Sequence, residues 1–276
     1  MERVEISFIN RISQTSLLTL AARAKESQEK QPLIVDTKAC ELLHTIDYDF
    51  EKFNNKLAQV VISLRSHYFD KKVIEFITHN AHPVVISVGC GLDTRYDRIG
   101  PIAEQASFYH IDLPEVIEIR ERLLLPKANE RYLSDSILNS EWMEDIKKEN
   151  PYGNFIFIVE GVFIYFNKET CLEFLRNVSN KFGKGLILFD VFNSAGLLCN
   201  FINGTLKNTE AKFNSAFNNI DTIERHCKNV KLQKAISFNE LPGFIRMGKC
   251  PRLLMYLFPP FKNFYRLLAY RITTAQ

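Results

Sequence analysis

Two glycines and an aspartate lie at a spacing that could bind a nucleoside. Gly89 and Gly91 flank Cys90 directly after the apolar run VVISV (84–88), and Asp112 follows Gly91 by 21 positions. Glycine lets a backbone turn sharply and approach a ligand closely, because it adopts positive φ without steric cost. A carboxylate about 20 residues further on, at the tip of the next strand, accepts hydrogen bonds from ribose hydroxyls. This spacing predicts a nucleoside ligand.

Thr94 stands where a dinucleotide-binding loop of the G-x-G-x-x-G type has its third glycine. That glycine lets the helix and the strand pack closely beside a pyrophosphate. S-adenosylmethionine contains adenosine and an amino-acid tail but no pyrophosphate, so it fits this loop. NAD stays the alternative ligand, although the bulky Arg95 beside Thr94 argues against it.

Two further acids follow predicted strands. Asp135 comes after a third strand, where an acid can accept the adenine amino group. Glu160 ends the run FIFIV (155–159), where a carboxylate could pair with a ligand ammonium. A helix N-cap or a solvated loop acid is the alternative for both. We favour the ligand for Glu160, because it lies between an apolar strand and Gly161.

Other reactive side chains have simpler explanations. Cys90 has no evident base nearby, so we expect a small thiol that fills space rather than a nucleophile. His79 and His82 form an H-x-x-H pair, but Pro83 and the strand that follows place them at a helix end. Histidines there interact favourably with the helix dipole. We therefore predict no metal site.

Hydrophobic patterning predicts the elements that position these residues. Short apolar runs without alternation are typical of strands buried on both faces of a parallel sheet. Such runs occupy 84–88, 107–111, 155–159 and 186–191, with helical patterns at 114–125 and 168–182. Alternation of strand and helix predicts an α/β fold with a Rossmann-like, doubly wound sheet.

Helical spacing dominates the first 80 residues, at 13–30, 36–44 and 50–80. We predict one structural domain, in which an N-terminal helical segment (1–80) packs on a core with a C-terminal cap (81–276). Residues 231–237 suggest a further strand. The apolar and basic stretch 252–272 could be a membrane-surface segment. We favour a cap plus a final strand, because Pro259-Pro260 interrupts any continuous helix.

Composition is that of an ordinary soluble protein. The chain has 276 residues, 46% of them hydrophobic, and a net charge of +3, too mild to predict nucleic-acid binding by charge alone. Its six cysteines form no C-x-x-C pair, which favours reduced thiols. We see no secretory signal and no run long enough to cross a membrane. A cytoplasmic protein without stable membrane association is expected, and the oligomeric state stays open.

Seven segments together resemble the leucine carboxyl methyltransferase superfamily of class I S-adenosylmethionine-dependent methyltransferases, in particular its branch of tetracenomycin-type polyketide O-methyltransferases. The segments are ARAKES (22–27), QPLIVDTKACELLHTIDYDF (31–50), LRSHYFD (64–70), VVISVGCGLDTR (84–95), YHIDLPEVIEIRERLL (109–124), FIVEGVFIYF (157–166) and LILFDVF (186–192). They cover most of residues 15–195 in the family's order. Beyond that point AKFNSAFNN (211–219) lacks the tryptophan and glycine that the family often has there, so the acceptor side is less well defined.

The resemblance implies roles in binding S-adenosylmethionine. Glycines 89 and 91 would line its methionine part, Asp112 would hold the ribose and Glu160 would lie near the amine. Arg65 would bind the cofactor carboxylate, since a guanidinium forms two parallel hydrogen bonds with such a group. Asp135 and Ser136 would flank adenine. The remaining predicted contacts are Cys90, Leu113, Gly161, and Lys25 or Arg23.

The resemblance also implies transfer of a methyl group to an oxygen of a small molecule, with a polyketide-like acid as one candidate. A carboxylate acceptor needs no base, whereas a phenol must be deprotonated. Tyr165 is the candidate to face the acceptor, and packing beside Phe163 and Phe166 is its alternative. An NAD-dependent oxidoreductase and a catalytically idle binding module are the other functions considered.

Overall fold

The computed structural model describes residues 3–6, 13–198 and 211–274. Ahead of the main sheet the chain forms α1 (Thr15–Ser27), α2 (Thr37–Thr45) and α3 (Lys56–His79). The three predicted N-terminal helices are confirmed, except that the third begins later than expected. Asn55 sets this start, because its side chain accepts a hydrogen bond from the Ala58 amide at 3.0 Å. Such an N-cap satisfies one of the unpaired amides at a helix start.

Two very short strands, β1 (Val4–Glu5) and β2 (Ile46–Asp47), pair in parallel beside these helices. They were not predicted, since two residues are too few for a hydrophobic period to appear.

A seven-stranded sheet forms the centre of the molecule, in the order β5-β4-β3-β6-β7-β9-β8. Its strands are β3 (Pro83–Val88), β4 (Ser107–Asp112), β5 (Glu130–Ser134), β6 (Asn154–Val159), β7 (Gly185–Phe192), β8 (Val230–Ser237) and β9 (Tyr265–Ile272). All pairs from β5 to β7 are parallel, and β9 runs antiparallel to both of its neighbours. Every strand predicted from an apolar run is confirmed. All six residues of β3 are buried, which explains why their pattern lacks alternation.

Helices cover both faces of this sheet. They are α4 (Arg95–Ile99), α5 (Pro114–Leu123), α6 (Glu141–Glu149) and α7 (Lys168–Phe182). One hydrophobic core joins the sheet to α6 and α7, and a second, on the other face, joins it to α3 and α4. The strand order reverses at β3, whose neighbours are β4 and β6. Ligands of doubly wound sheets bind at the carboxyl ends of the strands at such a reversal.

The C-terminal part adds α8 (Asp221–His226), α9 (Lys249–Leu257) and α10 (Pro259–Lys262) before β9. The preferred reading of 252–272, a cap followed by a final strand, is confirmed. A membrane-surface role for the whole stretch is wrong, because seven of the eight residues of β9 are buried. Within the described ranges, none of the helices has the length and apolar character needed to cross a membrane.

Candidate active site

The glycine loop follows β3 and has a backbone that only glycine adopts easily. Gly89 has φ of +64° and Gly91 of +50°. A Cβ atom at Gly89 would lie 2.5 Å from Cγ2 of Val162, and one at Gly91 would lie 3.0 Å from Cβ of Ser16. The loop is therefore tightly packed between α1 and the segment after β6, and both glycines are required by space as well as by φ.

Asp112, the last residue of β4, is bound to this loop. Its Oδ2 accepts a hydrogen bond from the Gly91 amide at 2.7 Å, and its Oδ1 accepts one from the Leu113 amide at 2.8 Å. Burial raises the pKa of Asp112, and these two amides oppose the rise. Each carboxylate oxygen has a second lone pair, so the group can still accept hydrogen bonds from a ligand's hydroxyls.

Glu160 follows β6 and lies between two arginines. Its Oε1 accepts hydrogen bonds from Nε of Arg65 at 3.0 Å and from Oγ of Ser66 at 2.8 Å, and its Oε2 is bound by Arg95. Burial alone would raise the pKa of Glu160, but the guanidiniums of Arg65 and Arg95 hold it below its ordinary value. Glu160 is thus an ionised carboxylate that is held by two arginines and also lines the cavity described below.

Asp190 and Tyr265 complete the surroundings of Arg65. The Tyr265 hydroxyl donates to Oδ2 of Asp190 at 2.5 Å and accepts a hydrogen bond from Nη1 of Arg65 at 2.8 Å. Asp190 Oδ2 lies 3.5 Å from the same Nη1, and its Oδ1 accepts the Gly161 amide at 2.6 Å. Burial raises the pKa of both Asp190 and Tyr265. Residues at the ends of β6, β7 and β9 therefore hold the guanidinium of Arg65 in place.

Sequence reasoning missed both residues. Asp190 is a lone acid inside the buried apolar run LILFDV, and that contrast could have singled it out. Tyr265 is 200 positions from Arg65, so no local pattern could have connected them.

A second ion-pair network joins the N-terminal helices to the glycine loop. Arg23 donates from Nε to Asp36 at 2.9 Å and from Nη2 to the Leu92 carbonyl at 2.9 Å. The Thr94 hydroxyl donates to the same Asp36 carboxylate at 2.6 Å. Arg98 contacts Asp36 as well, at 3.2 Å. Thr94 thus has a structural task that a glycine could not perform, which accounts for its place in the loop.

These elements surround a cavity of about 970 Å³. Predicted site residues that line it are Arg23, Arg65, Gly89, Cys90, Gly91, Asp112, Leu113, Ser136, Glu160, Gly161 and Tyr165. Lys25 and Asp135 are not among its lining residues. Lys25 instead lies 3.4 Å from Glu51, and Asp135 accepts a hydrogen bond from the Ser136 amide at 2.7 Å. The loop-acid alternative thus describes the contacts of Asp135, and Arg23 rather than Lys25 reaches the cavity.

Cys90 is buried in the glycine loop, and His79 and His82 lie where α3 ends and β3 begins. Burial raises the pKa of the Cys90 thiol, which disfavours the thiolate that a nucleophile requires. No group of three or more histidine, cysteine or acidic side chains suited to a metal occurs in the part of the chain that the structure describes.

The other half of the cavity is apolar. Its walls include Leu18, Leu57, Val61, Ile164, Phe192, Phe213, Met247, Leu254, Met255 and Phe264. Tyr165 lies at this side, 5.7 Å between ring centroids from Phe213, and burial raises its pKa. An apolar chamber thus adjoins a polar one, as expected for a site with two ligands.

The polar half fits a nucleoside that carries an amino acid. The Ser87 hydroxyl lines the cavity, is buried and has no hydrogen-bond partner among the described residues. Arg65 uses Nε and Nη1 within the protein, and no hydrogen bond is found for its Nη2 in the described ranges. The carboxylate of Asp112, which can accept hydrogen bonds from hydroxyls, and the Nη2 edge of Arg65, which can donate to an anion, thus line one cavity. S-adenosylmethionine carries ribose hydroxyls and a carboxylate in its two parts.

Comparison with known families agrees with this geometry. Residues 16–179 match the family model described as Leucine carboxyl methyltransferase. This match spans more than half of the 276 residues and contains the glycine loop, Asp112 and Glu160.

Two curated relatives extend the similarity beyond that region. Tetracenomycin polyketide synthesis O-methyltransferase TcmP from Streptomyces glaucescens is 26% identical over 232 residues, which cover 84% of each chain. S-adenosyl-L-methionine-dependent methyltransferase dpfgK from Gibberella zeae is 23% identical over 256 residues, which cover 85% of this chain and 84% of that protein. The predicted resemblance to the tetracenomycin-type branch is confirmed.

A crystal structure from Thermobifida fusca, provisionally described as a methyltransferase, has a TM-score of 0.56 and 13% sequence identity, and covers 92% of this chain and 94% of that one. At that identity the likeness supports the class I fold alone. The family match sets aside the NAD-dependent and catalytically idle alternatives. The chain belongs to the leucine carboxyl methyltransferase family and is an S-adenosylmethionine-dependent methyltransferase.

Proposed function

We propose that the enzyme methylates an oxygen of a small, largely apolar molecule, and that this oxygen belongs to a carboxylate. The observation that carries the proposal is the chemistry of the cavity wall. Neither histidine nor lysine occurs among the described residues that line it. An acceptor that is already an anion needs no proton acceptor, whereas a phenol does.

Two of the three acids in the wall, Asp93 and Glu160, are poor bases because arginines engage them, and the third, Asp112, accepts hydrogen bonds from two backbone amides. Asp93 accepts hydrogen bonds or ion pairs from Arg95 and Arg98 at 2.9 and 2.6 Å. Burial opposes ionisation, but these arginines hold the pKa of Asp93 well below its ordinary value. Glu160 is held low in the same way. Such carboxylates do not take a proton near neutral pH.

Bound S-adenosylmethionine would supply a methyl group on a positively charged sulfur that leaves as a neutral thioether. The acceptor oxygen would take that methyl group, and the electron pair of the broken S–CH₃ bond would stay on sulfur. Arg65, Asp112 and the glycine loop would hold the donor in line. The apolar walls would orient the acceptor and exclude water, and alignment of that kind is a large source of rate.

Tyr165 would assist as a hydrogen-bond donor rather than as a base. Burial raises its pKa, so its hydroxyl keeps its proton at neutral pH and can point it at the acceptor carboxylate. The name of the Streptomyces glaucescens relative, a polyketide synthesis O-methyltransferase, supports a polyketide-like acid as the acceptor.

The experiment compares matched acceptors with the purified full chain and S-adenosylmethionine. The enzyme is incubated separately with a polycyclic aromatic carboxylic acid, its phenol analogue and its amide. Products are identified by mass spectrometry and by the release of methanol on mild alkaline hydrolysis. Of the three acceptors, we expect only the carboxylic acid to give an alkali-labile methyl ester. Its methylation rate should not increase further when the pH is raised beyond about pH 6, since the acid is already ionised there. Methylation of only the phenol, at a rate that increases with pH up to the pKa of the phenol, would refute the proposal of a carboxylate acceptor.

A further inference from the structure

The large apolar side chains that the fold leaves exposed concentrate at one place. Six of them, between 39% and 74% exposed, fall within 14 residues at the cap: Ile245, Leu253, Leu254, Tyr256, Leu257 and Phe258. We call these six residues the cap patch. Elsewhere in the described ranges such residues are scattered singly. Single exposed apolar residues need no explanation, whereas a cluster indicates an interaction surface.

The segment that carries the cap patch has charges of one sign. From residue 241 to residue 276 the chain contains six lysines and arginines and no aspartate or glutamate. Of these six, Arg246 is paired with Glu26 and Arg266 is buried in the sheet. Lys249 and Lys262 are exposed, and Arg252 is half-buried between them. The surface is thus apolar at its centre and basic at its edge, the composition of helices that lie in the interface of an anionic membrane.

The same short helix is also a wall of the apolar chamber. Met255 of α9 is buried, and Cys250, Pro251 and Leu254 line the cavity. One face of α9 therefore contacts the acceptor space while the other presents the cap patch, and Leu254 belongs to both, since it is 39% exposed and also lines the cavity. If the cap patch rests on a bilayer, only α9 separates a molecule dissolved in that bilayer from the apolar half of the cavity.

We propose that the cap patch docks reversibly on an anionic lipid bilayer, from which the enzyme takes a lipophilic acid as its acceptor. This inference rests on the proposed function. A second copy of the chain is the less suitable occupant, because a symmetric contact would bring the basic edges of two patches together. Anionic lipid headgroups instead attract such an edge. With so few basic groups, docking is salt-sensitive and transient.

Vesicle sedimentation tests the docking. The full chain is mixed with vesicles of phosphatidylcholine, or of phosphatidylcholine with 30 mol% phosphatidylglycerol, in 50 mM or 500 mM NaCl. We expect roughly fivefold more bound protein on the anionic vesicles at low salt, and loss of that difference at high salt. Equal binding to both vesicles, or none to either, would overturn the proposal.

Paired variants locate the surface. Leu257→Ser with Phe258→Ser removes two patch residues that do not line the cavity, whereas Leu125→Ser with Tyr152→Ser removes two residues that are each 80% exposed elsewhere. We expect the first pair to lose most vesicle binding and the second pair to keep it. Methylation of a water-soluble acid should be the same in both, which separates failure of docking from failure of the proposed function. Loss of self-association in the first pair, measured by light scattering without lipid, would assign the patch to a second copy instead.

Discussion

Arg65 is the side chain on which most of the polar half of the cavity depends. A buried charge is costly unless it is paired and hydrogen-bonded, and Arg65 meets Glu160, Asp190 and the Tyr265 hydroxyl. Those partners engage Nε and Nη1 and leave the Nη2 edge for a ligand. We therefore expect Asp190 and Tyr265 to act on the cofactor through Arg65, as positioning residues.

Tyr265→Phe tests this at the level of one hydroxyl. The phenyl ring can keep its stacking on Phe238, 4.8 Å between centroids, so the change removes only the hydrogen bonds to Arg65 and Asp190. Calorimetric titration should show S-adenosylmethionine bound about tenfold more weakly, the scale of a hydrogen bond to a charged group. Arg65→Ala should weaken binding too, and the double variant should bind no more weakly than Arg65→Ala alone.

Tyr270→Phe is the matched control, because Tyr270 lies on the same strand and, among the described residues, its hydroxyl donates only to the Ile220 carbonyl, at 3.3 Å. Cofactor affinity should not change in that variant. If the effects of Tyr265→Phe and Arg65→Ala multiply, Tyr265 acts independently of Arg65 and the positioning role is wrong.

At the scale of elements, the turn after β6 determines how close the backbone comes to Arg65. Gly161 has φ of +69°, and a Cβ there would lie 2.9 Å from Nη1 and Nη2 of Arg65. Its amide also donates to Asp190. The strand end, the guanidinium and β7 are therefore packed against one another with no room for a methyl group.

A comparison of Gly161→Ala with Gly100→Ala should separate the effect of the close contact with Arg65 from the effect of backbone strain. Gly100 has the same φ of +69° with nothing within 4 Å of its Cβ position, so Gly100→Ala carries the strain alone. Both variants should lose unfolding free energy, by roughly 1–3 kcal/mol, measured by urea denaturation. Only Gly161→Ala should bind S-adenosylmethionine several-fold more weakly, because its methyl group displaces Arg65. Equal affinities in the two variants would contradict that reasoning.

The elements that sequence predicts well are those whose surroundings are uniform. β3 and β6 are apolar except for Ser87 and Asn154, because helices cover both faces of the sheet. These strands and the residues after them, Gly89 and Glu160, could therefore be placed from the sequence. Contacts between distant segments were invisible: Ser16 against the glycine loop, and Tyr265 against Arg65. Such contacts depend on how whole elements pack, which no periodicity of 2 or 3.6 residues encodes.

At the scale of the molecule, the site needs both ends of the described chain. α1 brings Ser16 against Gly91, and β9 enters the sheet between β7 and β8 to bring Tyr265 beside Arg65. The resulting sheet also contains buried titratable groups that do not line the cavity. Global stability should therefore respond to pH through groups that take no part in methyl transfer.

His110 on β4 gives the clearest case. Burial, and then the nearby Arg120, lower its pKa to about 4, so at neutral pH the ring is uncharged and its Nε2 donates to Glu130 at 3.0 Å. The unfolded chain binds a proton at His110 near pH 6.5, before the folded protein does. Stability from this group is thus complete above pH 6.5 and is lost as pH falls toward 4.

His110→Gln keeps a donor for Glu130 but does not titrate. Compared with this variant, the natural protein should lose up to about 3 kcal/mol more unfolding free energy between pH 7 and pH 4, measured by urea denaturation at half-unit intervals. His226→Gln, at an exposed position, should follow the natural protein throughout. The difference is expected because a neutral buried imidazole must be charged at a cost when the folded protein is acidified. Parallel curves for the natural protein and His110→Gln would show that His110 does not cause the acid sensitivity.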